Sequence, residues 1–273
     1  MQNLFLRFIS SIFLFIIFLC LVSENEILFI ITIQLLLILS LWEYTRLLRF
    51  KTNVLEKNHH FLSRERISFL DSFNIFVICF LILFIYISNN ILLNLVSISL
   101  VFSLLLIICR DELDFIFGII YISIPFFLLV DLRFNENYFK LITFIVLFSV
   151  LTDVSCYVCG KLIGGIKLAP SISPGKTISG SLGGIIIPCL FSLIFFGNVD
   201  NNLILIISSV IFSFSVQIGD LLESYFKRKC YVKDSSNLIP GHGGLLDRFD
   251  GVFILVIIIY LLELLDFNFF FIV

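Results

Sequence analysis

Long apolar runs, separated by short polar segments, constrain the fold of this chain more than any other feature of its sequence. Each run holds about as many apolar residues as one helix needs to cross a bilayer core roughly 30 Å thick. Because 60% of the 273 residues are hydrophobic, the chain is predicted to be an all-α, polytopic integral membrane protein with about nine transmembrane helices. The predicted spans are 4–22, 27–42, 69–87, 91–109, 115–130, 141–158, 181–196, 203–218 and 252–265.

The placement of Lys and Arg residues predicts the orientation of these spans. With a cytoplasmic amino terminus and nine alternating spans, all of the 18 basic residues except Arg133 and Lys140 fall on the cytoplasmic side. Cytoplasmic loops of membrane proteins carry an excess of Lys and Arg, and a count of eight or ten spans would place basic loops on the opposite side. The carboxyl terminus is therefore predicted to lie outside.

The polar residues are distributed unevenly and predict two regions. Residues 1–140 would form an amino-terminal region of about five spans, and residues 141–273 a catalytic region of about four spans. The second region contains two glycine-rich polar segments, 159–180 and 219–251, which are predicted to be loops facing the cytoplasm. The basic segment 44–68 lacks such a pattern and is predicted to anchor the orientation and to contact anionic lipid.

Acidic residues at the cytoplasmic ends of three predicted helices indicate a cation site. Asp153 lies in the sixth run, Asp220 ends the eighth, and Asp247 and Asp250 precede the ninth. An ionised Asp at the centre of a bilayer costs roughly 2.5–3.5 kcal/mol, so acids in or beside a span are candidates for function. Carboxylate oxygens suit Mg²⁺, which one or two carboxylates hold together with substrate phosphates. Each Asp taken alone could equally cap a helix or pair with an Arg.

Two short patterns in segment 159–180 and the preceding helix are weaker signals. The sequence SPGKT at 173–177 lacks the glycine that a nucleotide-binding P-loop requires five residues before Gly175, because Pro170 stands there. What remains is a Gly- and Ser-containing turn with Lys176, which could hold an anion. Cys156 and Cys159 form a lone CxxC, for which a packed helix face is favoured over a zinc or redox site.

Segment 219–251 combines cations, acids and glycines. Lys227, Arg228 and Lys233 precede the sequence PGHGG at 240–244, whose glycines allow the backbone to approach a phosphate closely. His242 could donate to a phosphate or act as an acid, and a structural role is equally open. Carboxylates for a metal ion beside cations for the remaining charge are typical of a magnesium–polyphosphate site.

The spacing of these residues resembles a known family, the phosphatidate cytidylyltransferases, also called CDP-diacylglycerol synthases. The family pattern is Ser, two residues, Lys-Arg, four residues, Lys-Asp, then His-Gly-Gly and Asp-Arg-x-Asp. In this chain it is formed by Ser224, Lys227, Arg228, Lys233, Asp234, His242, Gly243, Gly244, Asp247, Arg248 and Asp250. A second block is also similar to the family and consists of Asp153, Tyr157, Gly160, Gly164, KLAPSISPGKT and GSLGG. The strong resemblance covers residues 150–252.

Two positions depart from the family pattern. The family usually has Lys where Gly175 stands and Glu where Ser179 stands. Losing one cation together with one acid leaves the local charge unchanged, which is consistent with a joint exchange. The departures put an essential role for these two positions in doubt.

The resemblance implies that the chain transfers a cytidylyl group from CTP to phosphatidate, giving CDP-diacylglycerol and pyrophosphate. It implies Mg²⁺ held by Asp220 and Asp247, with Asp153 as a further candidate ligand and a second cation nearby. The implied catalytic residues are Asp220, Asp247, Lys227, Arg228, Lys233 and His242. The implied substrate-binding residues are Lys167, Ser173, Lys176, Thr177, Ser224, Gly243, Gly244, Arg248 and Asp250. The protein is further expected to lie in a bacterial inner membrane with its site facing the cytoplasm. It is expected to have no nucleic-acid partner, and a homodimer is a candidate assembly.

Two other functions were compared with the same residues. A lipid transporter or flippase also keeps acids within spans, but it predicts inverted repeats with broken helices in both halves, and neither polar block has a second copy. A CDP-alcohol phosphotransferase also uses clustered Asp residues. The Asp-Gly-x-x-Ala-Arg sequence typical of that class is absent here.

Overall fold

The computed structural model describes residues 2–55, 113–135, 137–196, 202–241 and 243–265. Its helices are α1 (Gln2–Val22), α2 (Glu26–Leu55), α3 (Leu113–Leu132), α4 (Tyr138–Ile163), α5 (Ile178–Phe196), α6 (Asn202–Lys229) and α7 (Leu246–Leu264). Between α4 and α5, strands β1 (Lys167–Ala169) and β2 (Ser173–Thr177) form an antiparallel hairpin. The predicted spans 69–87 and 91–109 lie outside the described residues.

The chain divides into two compact units. The first contains Met1–Asn135 and Lys229–Asp247, and the second contains Glu136–Arg228 and Arg248–Val273. The first unit therefore includes α1, α2, α3, the whole segment 230–245 before α7 and the first two residues of α7. The second includes α4, the hairpin, α5, α6 and the rest of α7. The predicted functional boundary between residues 140 and 141 stays a prediction.

Helix α2 shows why these helices suit a membrane. Phe29, Ile33 and Leu36 are fully buried against neighbouring helices, whereas Ile31 and Leu35, on other faces of α2, are about half exposed. A helix that is apolar all round is either buried in a core or surrounded by lipid. The exposed apolar face of α2 therefore fits contact with lipid.

Five helices in the described part of the chain are long and apolar enough to cross a membrane, namely α2 to α6. This confirms the predicted class, an all-α membrane protein. Helix α1 holds a shorter apolar stretch, Leu6–Val22. The total of nine spans stays a prediction because two of them lie outside the described residues.

In the second unit, small residues bring α4 and α5 into close contact. A Cβ atom added at Gly183 would overlap the side chain of Cys159, and one added at Gly184 would overlap the Cys156 sulfur. Small residues at helix interfaces let backbones approach closely within a membrane. The packed-face interpretation of Cys156 and Cys159 is therefore confirmed.

Helices α6 and α7 of the second unit also cross at glycines. A Cβ added at Gly219 would overlap the carbonyl oxygen of Asp250 and would lie 3.1 Å from the Gly251 Cα. The Phe148 and Phe212 rings, from α4 and α6, meet edge to face with centroids 5.8 Å apart. These close packings determine where the acids of α4, α6 and α7 lie.

The two predicted polar loops contain more regular structure than expected. In segment 159–180, α4 continues to Ile163 and the hairpin follows. In segment 219–251, α6 continues to Lys229 and α7 begins at Leu246, so only residues 230–245 are irregular. Lys, Arg and Glu are good helix formers, so a change to polar composition does not by itself end a helix.

Candidate active site

The hairpin of the second unit is fixed at its base. Lys167 is paired with Thr177 across the two strands, and the Ile178 N–H donates to the Ile166 carbonyl at 3.0 Å. The Ser179 hydroxyl donates to the Gly164 carbonyl. Ser179, at which the family usually has Glu, therefore holds the hairpin against the end of α4.

Thr177 ends the hairpin and begins α5. Its hydroxyl oxygen accepts the Gly180 N–H at 3.1 Å, which is the contact of a helix N-cap. Its side chain is buried. The structure thus gives Thr177 a structural contact, and its implied contact with substrate stays a prediction. Lys167 and Ser173 lie on the two strands, with Lys167 exposed and Ser173 half-buried.

Lys176 connects the hairpin to α6 through an ion pair. Its ammonium lies 2.5 Å from an Asp220 carboxylate oxygen, and the two side chains are 25% and 29% exposed. The Ser224 hydroxyl, one turn further along α6, donates to the other Asp220 oxygen at 3.3 Å. Lys176 from one predicted polar segment and Ser224 from the other therefore both contact the Asp220 carboxylate.

Further acids lie near Asp220 in the second unit. Asp153 of α4 is within electrostatic range of Asp220, Lys176 and Arg248. Asp250 of α7 is within electrostatic range of Asp220 and Asp153. The structure thus brings acids from three helices near one another. Like charges in a poorly solvated place repel strongly, and either protonation of an acid or a bound cation would relieve that repulsion.

Lys227 lies on α6 with its charge already paired. Its ammonium donates to Glu223 at 3.1 Å, and the two side chains are only 9% and 7% exposed. Sequence analysis did not single out Glu223. The spacing of four residues between Glu and Lys on one helix is the signal that could have found it.

Arg228 holds the end of α6 against the hairpin. Its Nε atom donates to the carbonyl of Ile172, in the hairpin turn, at 3.2 Å. This contact makes Arg228 a link between two elements of the second unit. Its implied role at a substrate phosphate stays a prediction, as does that of Arg248, which is exposed on the first turn of α7.

In the first unit, residues 230–245 form the segment that we call the signature loop. The Ile239 N–H donates to the Gly243 carbonyl at 2.9 Å and closes a tight turn. Gly241 and Gly243 have φ angles of +79° and +88°, a conformation that favours glycine. His242, between them, lies outside the described residues.

Asp247 lies at the end of the signature loop, in the first turn of α7. Its carboxylate accepts the Ser235 N–H at 3.0 Å and the Gly244 N–H at 2.8 Å. Neither donor belongs to α7, so the interpretation of Asp247 as a helix cap stays a prediction.

Glu43 of α2 is the residue of this region that sequence analysis missed as a functional candidate. Its side chain is fully buried, and its carboxylate accepts four hydrogen bonds from the signature loop and the first residue of α7. The donors are the Ser235 hydroxyl at 2.9 Å, the Ser236 hydroxyl, and the N–H groups of Leu245 and Leu246 at 2.9 and 2.8 Å. The loop partners are more than 190 residues away in sequence, so no local pattern predicted these contacts.

A small cavity of about 210 Å³ lies beside this anchor in the first unit. Its lining includes Arg46 and Leu47 of α2 and residues 232–237 of the signature loop. Lys233, one of the implied phosphate-binding residues, belongs to this lining. Two cations and the acid Asp234 give the cavity a mixed polar wall.

The donor set of the second unit is compatible with Mg²⁺. No three His, Cys, Asp or Glu side chains in the described ranges are arranged to hold a metal ion by themselves. Magnesium usually takes only one or two protein carboxylates, with waters and substrate phosphates completing its shell. At Asp220, the Lys176 ammonium already supplies a positive charge. The sharing of one ion by Asp220 and Asp247 stays a prediction, since the two belong to different units.

Comparison with known proteins shows similarity over most of the chain. The sequence model of the cytidylyltransferase family matches residues 5–265. Proteins named phosphatidate cytidylyltransferase are 43% identical over 136 residues in Staphylococcus saprophyticus, covering 49% of this chain and 52% of that protein, and 36% identical over 174 residues in Staphylococcus haemolyticus, covering 60% and 66%. A protein of the same name from Rickettsia bellii is 41% identical over 157 residues, covering 54% and 67%. The matched part thus spans about half to two thirds of these relatives.

Proposed function

The chain belongs to the cytidylyltransferase family, and we propose that it transfers the cytidylyl group of CTP to phosphatidate in a membrane. The observation that carries the proposal is the match of the family to residues 5–265, which includes the complete pattern from Ser224 to Asp250. Relatives of this chain carry the name of this activity. No finding favours a flippase or a CDP-alcohol phosphotransferase.

The reaction is a phosphoryl-type substitution at the α-phosphorus of CTP. A phosphate oxygen of phosphatidate forms the new bond to that phosphorus, and the bond to the oxygen bridging the α and β phosphorus atoms breaks. The products are CDP-diacylglycerol and pyrophosphate. The nucleophile is already ionised near neutral pH, so no strong protein base is needed, and positioning with charge neutralisation supplies most of the catalysis.

The cations described above have separate tasks in this proposal. Lys233 is exposed and can contact a phosphate oxygen directly. Lys176 is partly exposed and paired with Asp220, so it would meet a phosphate beside that carboxylate. Lys227 is paired with Glu223 inside the second unit, so a phosphate contact requires its ammonium to exchange partners. Arg228 supports the hairpin that carries Lys176.

Magnesium is part of the proposal. Asp220 and Asp247 would hold it, with Asp153 as a further ligand, and the ion would withdraw charge from the triphosphate. A second cation nearby remains part of the same proposal. The second unit's own contribution is to keep Asp153 and Asp220 near Lys176.

We further propose nine spans with the amino terminus in the cytoplasm of a bacterium and the protein in its inner membrane. In that arrangement the polar ends of α4, α6 and α7 face the cytoplasm. CTP then arrives from the water while phosphatidate stays in the leaflet. Cysteine labelling of residues on both sides of each span would test this topology.

The activity can be tested with the purified chain in detergent micelles containing phosphatidate, Mg²⁺ and CTP labelled at the α-phosphate. We expect the label to appear in a lipid that extracts into organic solvent, with one pyrophosphate released for each lipid formed. EDTA should abolish both products, and Asp220→Ala or Asp247→Ala should reduce them strongly.

Two matched reactions make this assay specific. Diacylglycerol in place of phosphatidate lacks the phosphate nucleophile and should yield no labelled lipid. CTP labelled at the γ-phosphate should leave the lipid unlabelled, because that phosphate departs in pyrophosphate. Folded protein that forms no labelled lipid from phosphatidate would contradict the proposed function, and full activity of Asp220→Ala would contradict the metal assignment.

A further inference from the structure

We infer that Glu43 is a positioning residue for the signature loop, and that cytidylyl transfer depends on the four hydrogen bonds its carboxylate accepts. The inference rests on the proposed function for its catalytic consequence. Its structural content is a buried carboxylate that holds Ser235, Ser236, Leu245 and Leu246 in place, and it rests on the contacts alone.

The Glu43 carboxylate is the acceptor in each of these four hydrogen bonds, and each oxygen accepts two of them. Its first carboxylate oxygen accepts from the Ser236 hydroxyl and, at 2.9 Å, from the Leu245 N–H. Its second oxygen accepts from the Ser235 hydroxyl at 2.9 Å and from the Leu246 N–H at 2.8 Å. A carboxylate offers about four lone-pair positions, and four donors point at them.

The location of these donors connects Glu43 to the implied catalytic residues. Leu246 is the first residue of α7, and its N–H is among the groups at a helix start that have no partner within the helix. Asp247 follows directly, and its own carboxylate accepts the Ser235 N–H. Ser235 therefore donates to Glu43 through its side chain and to Asp247 through its backbone.

The approach of the loop to Glu43 is as close as a glycine permits. A Cβ atom at Gly244 would overlap the Ser235 hydroxyl and lie 2.7 Å from both oxygens of Glu43. Lys233 and Ser235 also line the neighbouring cavity. Loss of the anchor therefore changes the wall that carries Lys233 as well as the start of α7.

A glutamine at position 43 separates this role from simple packing. Glu43→Gln keeps the shape of the side chain but replaces one acceptor oxygen by an NH₂ donor. The serine hydroxyl beside that NH₂ group can turn and accept from it, but the backbone N–H beside it would lose its acceptor. An unsatisfied buried donor is unfavourable. Glu43→Asp keeps both oxygens on a chain shorter by one methylene.

The test uses the full chain in detergent and combines kinetics with backbone hydrogen exchange. For Glu43→Gln we expect kcat/KM for CTP to fall by about tenfold or more, the lower end of what removal of a supporting contact costs. The amide hydrogens of Leu245 and Leu246 should exchange at least about tenfold faster. Glu43→Asp should recover part of both, and Glu26→Gln, an exposed position on the same helix, should change neither.

A second variant covers the case in which Glu43→Gln does not fold. Ser235→Ala with Ser236→Ala removes two of the four donors and leaves the carboxylate in place, so faster exchange at Leu245 and Leu246 is again expected. Folded variants with wild-type exchange and wild-type kcat/KM would overturn the inference. If the wild-type chain formed no CDP-diacylglycerol, the proposed function would fail, and the exchange measurement would still decide whether Glu43 orders the loop.

Discussion

Replacing Gly244 by Ala tests the packing of the signature loop directly. The φ angle of Gly244 is not in the positive range that favours glycine, so Ala is acceptable to the backbone and only space opposes it. The added Cβ would overlap the Ser235 hydroxyl and stand 2.7 Å from both carboxylate oxygens of Glu43. Glu43 is fully buried and holds four donors, so it has little freedom to withdraw.

The cost follows from these contacts. The Ser235 hydroxyl must leave its position and lose a hydrogen bond to a charged group, which is worth about 1.5–3 kcal/mol. Overpacking of a tight site costs about 1–3 kcal/mol more. Ala restricts the unfolded chain more than Gly does and returns only about 0.4–1 kcal/mol. The net destabilisation is therefore about 2–5 kcal/mol.

Thermal unfolding in detergent measures this effect. In a chain of this size about 1 kcal/mol corresponds to roughly 2–4 °C, so we expect the Tm of Gly244→Ala to fall by at least about 4 °C. Gly175→Ala is the matched control, because nothing lies within 4 Å of a Cβ at that exposed strand position, and it should stay within about 0.5 kcal/mol of wild type. Adding Ser235→Gly to Gly244→Ala removes the overlap and should recover part of the loss. A Tm for Gly244→Ala within about 2 °C of wild type would refute the close approach of loop and carboxylate.

Two further predictions concern cations of the second unit. Lys227→Met leaves the buried Glu223 charge without this partner and should destabilise the protein by about 3–5 kcal/mol. Adding Glu223→Leu should recover most of that loss in thermal unfolding, and a double variant as unstable as Lys227→Met would show that the unpaired Glu223 charge is not the cause. Lys176→Gln breaks a partly exposed ion pair with Asp220, so the free energy of unfolding should change by only about 0.2–1 kcal/mol. If Lys176 contacts a phosphate, formation of CDP-diacylglycerol should fall at least about tenfold. Unchanged turnover would exclude that contact.

The elements that sequence analysis recovered are those whose signal is local. Each of the helices α2 to α6 coincides with a predicted apolar run, because a membrane span requires a long continuous apolar stretch. Helix α2 includes the polar Glu43, as expected for a short apolar run whose polar end belongs to the helix, and it continues to Leu55. The hairpin was missed because its strands are three and five residues long and polar, with Pro170 in the turn, so no alternation of apolar and polar residues marked it.

The residues of the candidate site likewise divide into those with a local sequence signal and those without one. Asp153, Asp220 and Asp250 were found because an acid at the end of an apolar run is unusual at any single position. The pairing of Lys227 with Glu223 was within reach, since both lie on one helix four residues apart. The partner of Lys176 could not be predicted from the sequence, because an ion pair between a hairpin and a distant helix depends on how the two elements pack.

The amino-acid sequence by itself determined that this chain is a helical membrane protein with a polar site of a recognisable family, because apolar length and the spacing of polar residues are properties of short segments. Tertiary structure alone decided which partners those residues meet. Glu43 receives the signature loop where Gly244 lets the backbone approach its carboxylate closely. Lys176 meets Asp220 because the hairpin and α6 come together in the folded chain. Contacts between segments far apart in the chain follow from packing, and packing has no signature within a single segment.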